Sequence, residues 1–259
     1  MMTNRLERLV GQTAIVTGGA SGIGAEYVRA FAAAGAHVVI ADVRRTEGKA
    51  LAAEIAGLNG AKAAFAPTDV TRETETYQMV ETARSLGGTV DILINNAAIY
   101  QDLGAKRTFE EISVEEWDRV MAVNVRGIWA CAKAVAPAMR GRAYGKIVNI
   151  ASVVDNMGAA GFAHYVASKA AVGGLTRALA RELGGDGITV NAVSPGLVSN
   201  ESSFRLNDPG YVGQAAEGRS IKREMLPTDL VGAVLFLASP ASDFITGQTL
   251  IVDGGGVFR

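Results

Sequence analysis

The chain has 259 residues, 49% of them hydrophobic, and a net charge of −1 at neutral pH, which suits one large α/β domain with a substantial core. So balanced a charge gives no electrostatic footprint for nucleic acid, and the basic stretch Arg140-Gly141-Arg142 is too short to supply one. Cys131 is the only cysteine, which excludes an intramolecular disulfide, and its setting Trp129-Ala130-Cys131-Ala132 predicts a small buried hydrophobe.

At the N-terminus, Met1 to Val10 lacks the apolar core of a signal peptide, and no uncharged apolar run is long enough to span a bilayer. A cytoplasmic protein without membrane contact is expected. The β-type run Thr13-Ala14-Ile15-Val16 then leads directly into Thr17-Gly18-Gly19-Ala20-Ser21-Gly22-Ile23-Gly24, and a helical stretch through Phe31 follows. Strand, glycine turn and helix in this order form a dinucleotide cradle. The glycines let the backbone approach a pyrophosphate, and the helix start offers unpaired N–H groups and a positive dipole end. The spacing Gly18-x-x-x-Gly22-x-Gly24 differs from the general G-x-G-x-x-G fingerprint.

The second strand, 37–42, ends in Asp42, about 20 residues past the glycines, where a carboxylate accepts hydrogen bonds from ribose hydroxyls. Asp42 favours NAD, because the 2′-phosphate of NADP would be repelled by it. Arg44 and Arg45 are the competing feature: they could bind such a phosphate, although solvated arginines at the start of a surface helix are the favoured reading.

Further strands are expected at 62–67, 91–95, 146–151, 188–193 and 249–252, joining 13–17 and 37–42. Short β-branched runs alternating with longer helical patterns predict a doubly wound, seven-stranded parallel sheet with helices on both faces, a Rossmann-type α/β fold. Its switch point beside the first strand would gather the glycine turn, Asn96, Ser152 and Pro195 at the carboxyl edge. Ser113-Val114-Glu115-Glu116 has capping-box spacing and should open the helix carrying Asn124, and Pro227 suits the first turn of a helix through Leu237. Residues 1–259 show no repeat, low-complexity tract or second-domain boundary. The exception to regular structure is 199–225, with the turn signal Asn207-Asp208-Pro209-Gly210.

Tyr165 and Lys169 stand one helical turn apart and share a face. A free tyrosine has a pKa of about 10, and an ammonium at about 4 Å in an effective dielectric near 20 supplies about 4 kcal/mol, enough to bring the phenol near neutrality. The pair therefore suggests a proton-transfer site.

Taken together, the glycine turn, Asp69-Val70 after the third strand, Asn95-Asn96-Ala97 after the fourth, Asn124, Ser152, Tyr165/Lys169 and Pro195-Gly196 resemble the short-chain dehydrogenase/reductase family over essentially the full chain. The resemblance implies that Ser152 holds the substrate oxygen, Tyr165 exchanges its proton, Lys169 lowers the tyrosine pKa and binds the nicotinamide ribose, and Asn124 positions a relay water. It implies cofactor contacts from Gly18, Ser21, Gly22, Ile23 and Gly24, from Asp42 and Val43, from Asp69 and Val70 at adenine, and from Asn96 and Ala97 along the adenosine. Pro195, Gly196 and Val198 would also contact the cofactor, with Val198 at the carboxamide. Two positions depart from the family pattern: Ala98 replaces the usual glycine, and Asn200 the usual threonine. In the family, a segment such as 199–225 covers the substrate.

The expected function is an NAD-dependent oxidoreductase that interconverts a secondary alcohol and a ketone. Val153, Val154, Met157 and Phe162 favour an uncharged, fairly apolar substrate. The stretches 95–100 and 245–250 look similar to those of dehydrogenases acting on aryl or alicyclic alcohols. Two alternatives are a 3-oxoacyl carrier-protein reductase and a catalytically silent NAD-sensing module. His37 and His164 have no metal-ligand spacing, so no catalytic metal is expected. The helix continuing from Lys169 through Ala180 is small or apolar on nearly every face, and predicts burial against a second copy and a homotetramer.

Overall fold

The structure is a computed structural model and describes residues 9–258; the N-terminal reading over Met1 to Arg8 lies outside the described residues. Seven strands, β1 (Thr13–Thr17), β2 (His37–Asp42), β3 (Ala63–Pro67), β4 (Ile92–Asn95), β5 (Gly145–Ile150), β6 (Ile188–Pro195) and β7 (Thr249–Val252), form one sheet in the order β3-β2-β1-β4-β5-β6-β7. Every pairing is parallel. Parallel strands covered on both faces lack the in–out alternation of a half-exposed strand, and β1, β4, β5 and β6 are buried at every position.

The helices are α1 (Gly22–Ala33), α2 (Arg45–Ile55), α3 (Glu73–Gly87), α4 (Val114–Met121), α5 (Gly127–Arg140), α6 (Val154–Met157), α7 (Ala163–Leu183), α8 (Glu201–Leu206), α9 (Pro209–Glu217) and α10 (Val231–Leu237). Successive residues of one strand feed opposite cores. Ala14 and Val16 belong to the core that holds Val28 and Phe31 of α1 and Val234 of α10, whereas Ile15 belongs to the one that holds Met79 of α3, Val135 of α5 and Leu183 of α7. A side chain such as Phe31, fully buried, contributes about 1.5–3 kcal/mol relative to exposure.

After β3 at one edge the chain returns to pair β4 against β1. The connections from β1 and β4 therefore diverge, and a crevice opens at their carboxyl ends. Strand β6 runs two residues beyond the expected 193, because the edge strand β7 pairs Val252 with Pro195. Ser152 lies just past β5, which ends at Ile150.

Ser113 opens α4 as a capping box, its Oγ accepting from Glu116 N and its own N donating to Glu116 Oε2. Asn124 falls within a five-residue π-turn, Ala122–Arg126, that joins α4 to α5. Pro227 begins a 3₁₀ turn leading into α10. Segment 199–225 folds into α8 and α9: Asn200 and Asp208 cap them by accepting from Ser203 N (2.9 Å) and Gly210 N (2.7 Å), and a Val198–Met225 bridge closes the excursion. Among the described residues, no helix is long and apolar enough to cross a membrane.

Candidate active site

The crevice is a cleft of about 1170 Å³. Every expected cofactor residue, from Gly18 to Val198, lines it, as do Ser152, Tyr165 and Lys169. Asn124 is fully buried behind it.

At the first turn the backbone leaves no room for side chains. A Cβ on Gly24 would stand 2.2 Å from Gly18 O, and Gly18, at φ +61°, would bring one to 2.8 Å from Ala97 Cα. Asn96 spends its side chain on holding this turn: Nδ2 donates to Thr17 O (3.1 Å) and Gly18 O (3.0 Å), while its N donates to Thr17 Oγ1. Asp42 is aimed by two backbone donors, Ala20 N to Oδ2 and Arg44 N to Oδ1, each at 2.9 Å. The carboxylate keeps further lone pairs for ribose hydroxyls. Arg44, in contrast with the solvated reading, reaches back to the turn, its Nη1 donating to Ser21 Oγ at 3.1 Å. Exposed Val43 offers an apolar surface beside them. A bare helix start, a close-packed glycine turn and an oriented carboxylate fit a dinucleotide.

Across the cleft, α7 is set against the sheet by a buried amide chain in which Asn95 Nδ2 donates to Asn149 Oδ1, and Asn149 Nδ2 to Thr176 Oγ1, both at 2.9 Å. This fixes Tyr165 and Lys169. The Lys169 ammonium donates to Ile150 O at 2.8 Å and sits 5.8 Å from the Tyr165 ring centroid. Burial lowers its pKa to about 8, so it remains mostly charged at neutral pH. Tyr165 is pushed up, first by burial and then by Tyr100, against the pull of the Ser152 side chain in the other direction. Burial, rather than the lysine, sets the direction of that shift.

Asn124 holds the site from behind. Its Oδ1 accepts from Ile99 N at 2.7 Å, and its Nδ2 donates to Ile99 O and to Ser168 Oγ, which in turn donates to Tyr165 O. The π-turn is what brings a helical asparagine inward at this point.

Several lining residues carry no motif. Tyr100 places its ring 5.5 Å from that of Tyr165, and Asn207 of the 199–225 segment donates to its hydroxyl at 3.5 Å. Ser202 donates to Gln101 Oε1 at 3.0 Å, a second tie between that segment and the 99–103 loop. Lys106 lies over the rings of Tyr211 (4.6 Å) and Phe162 (6.0 Å), and Arg219 reaches in after α9. The aromatic character of Tyr100 was visible in the sequence; its pairing with Tyr165 required the loop geometry. Ala98 is exposed in the cleft. His164 is buried and pulled down in pKa by burial, and His37 Nδ1 accepts from Lys62 N, so neither faces the other. Among the described residues, no group of three or more His, Cys, Asp or Glu could hold a metal ion.

Comparison with known proteins agrees with this geometry. The family profile described as Enoyl-(Acyl carrier protein) reductase matches residues 18–256. A 3-alpha-(or 20-beta)-hydroxysteroid dehydrogenase of Mycobacterium tuberculosis is 39% identical over 96% of this chain and 91% of its own. A 3-oxoacyl-[acyl-carrier-protein] reductase of Chlamydia trachomatis is 36% identical over 95% and 98%. A probable galactose dehydrogenase of Rhizobium meliloti is 36% identical over 93% of each chain.

Proposed function

The chain belongs to the short-chain dehydrogenase/reductase family, oxidoreductases acting on CH–OH groups with nicotinamide cofactors, and from that premise we propose that it interconverts a secondary alcohol and a ketone using NAD(H). The observation that carries this reading is the convergence of Ser152, Tyr165 and the buried Lys169, whose ammonium is held by Ile150 O, in the same cleft as the glycine turn. The nicotinamide supplies the hydride donor or acceptor. Ser152 holds the substrate oxygen against the Tyr165 hydroxyl. Tyr165, its pKa raised by burial, gives its proton to that oxygen in ketone reduction and takes it back in alcohol oxidation. Lys169 stabilises the phenolate left behind, and Asn124 fixes the backbone on which Tyr165 is carried.

Asp42, with both oxygens oriented by backbone donors, supports NAD. The wall around Tyr165, built by Ile99, Tyr100, Leu103, Val154, Phe162 and Leu206, suits a fairly apolar aryl or alicyclic substrate covered by α8 and α9. A second reading, 3-oxoacyl carrier-protein reduction, is favoured by the Chlamydia relative and by Arg44 at the glycine turn; the Asp42 carboxylate opposes the NADPH it would use. A silent NAD-sensing module would have no use for a tyrosine–serine–lysine set. The outward face of α7 is small, with Ala170, Gly174 and Ala178 exposed, and Trp129 of α5 is 45% exposed. These faces support pairing across a two-fold axis in a cytoplasmic homotetramer. A panel of secondary alcohols and ketones, followed by nicotinamide absorbance with both cofactors, tests the assignment; no turnover of any pair would overturn it.

A further inference from the structure

Arg219 follows α9 with only 5% of its surface exposed, yet it forms no ion pair among the described residues. Its Nη2 donates to Leu197 O at 2.6 Å and its Nη1 to Arg223 O at 3.0 Å. Asp253 is close enough to raise its pKa against the lowering by burial, but that carboxylate's Oδ1 is turned to Gly255 N (2.9 Å) and Gly256 N (3.2 Å). Two carbonyls satisfy two of the five guanidinium N–H groups, and the carboxylates of Asp253, Asp229 and Glu224 act on the charge through space without forming an ion pair with it. A buried guanidinium held by two carbonyls, with no carboxylate in direct contact, keeps N–H donors for a ligand in the cleft, and its planar fork matches a carboxylate.

The location identifies the ligand. Arg219 lines the cleft, and a Cβ on Gly196 would lie 3.6 Å from its Nη2, so the guanidinium stands beside the Pro195–Val198 loop. Tyr211, Ala215, Gly218 and Arg219 all line the cleft at helical spacing. The inner face of the covering segment is thus uncharged along α9 and cationic just past its end. The opposite wall, around Tyr165, is the apolar cluster of Ile99, Tyr100, Phe162 and Leu206.

We propose that Arg219 is a specificity-determining residue that binds a carboxylate on an otherwise apolar alcohol or ketone substrate. This rests on the oxidoreductase reading and changes one part of it: the substrate is apolar in body and singly anionic. Exposed Lys106, held over Tyr211, is a further cation lining the cleft.

The test is calorimetric binding of cyclohexanecarboxylate against cyclohexanecarboxamide, with and without saturating NAD. Wild type should prefer the carboxylate by at least about tenfold, since charge-assisted bonds are roughly twice as strong as neutral ones. Arg219→Met should bring that ratio close to one, Arg219→Lys should keep part of it, and Lys106→Met should leave it intact. An arginine that only straps the Leu197 loop would weaken both ligands together and spare the ratio, which overturns the proposal. So does a wild-type ratio near one, a ratio lost in Lys106→Met instead, or an Arg219→Met variant that loses NAD affinity while keeping the ratio, which would assign the charge to the cofactor's pyrophosphate. If Arg219→Met does not fold, wild type and Arg219→Lys decide: a wild-type preference with none of it left in the folded lysine variant, or no wild-type preference, counts against the fork. Carboxylate preference without turnover of any alcohol or ketone would sink the oxidoreductase reading alone.

Discussion

Lys169→Met should show that the lysine is held charged at a cost to the fold. Lys169 is 3% exposed, and burial lowers its pKa from 10.5 to about 8. A difference of that size corresponds to about 3 kcal/mol against the charged form. Between these two pH values the unfolded chain keeps the proton that the folded chain has lost, so the unfolded state binds more protons and stability rises with pH. The penalty is fully present below about pH 8 and is gone above 10.5. Methionine carries no proton and shows no such rise. Urea unfolding of both proteins from pH 7 to pH 10 should therefore find wild type gaining about 2–3 kcal/mol on the variant. At pH 7 the two should lie within about 2 kcal/mol, because relief of the charge offsets the lost bond to Ile150 O. A difference that is flat or falls with pH refutes the reasoning.

Cofactor choice should favour NAD over NADP by at least about a hundredfold in kcat/KM, matching about 3 kcal/mol from Asp42, and Asp42→Ala should erode the margin; a wild type that prefers NADP would give the decision to Arg44. Gly24→Ala should cost more than about 2 kcal/mol in thermal or urea unfolding and weaken NAD binding, because its Cβ would fall 2.2 Å from Gly18 O and 2.6 Å from Asn96 Nδ2; a variant that melts with wild type contradicts that packing. Light scattering after gel filtration should find a tetramer of the 26.9 kDa chain, and a fully active single-chain particle would refute the α5 and α7 pairing.

The sheet was legible because buried parallel strands are short β-branched runs, and β1, β2 and β7 fall where those runs do. The glycine turn, Asp42, Ser152, Tyr165 and Lys169 were legible because each follows a strand or shares a helix face. Arg219, Lys106 and the reach of Arg44 were not. Their placement depends on side-chain direction in loops and in the 199–225 segment, where no period fixes which residue points inward. Asn200 shows the same limit: marked in the sequence only as standing where the family has threonine, it proves to be the cap of α8. Asn124 was legible as a residue but not as a π-turn, since one extra residue in a helix leaves the hydrophobic pattern on either side almost unchanged.

The central claim is that Tyr165 moves the proton. Its ring packs on Tyr100 and it lines the cleft together with Ser152, so phenylalanine keeps the packing and deletes only the exchangeable proton. With a secondary alcohol that wild type oxidises, Tyr165→Phe should lower kcat by at least about a thousandfold, with NAD affinity by fluorescence titration kept within a factor of about two. Turnover within tenfold of wild type, with NAD bound normally, would contradict the account.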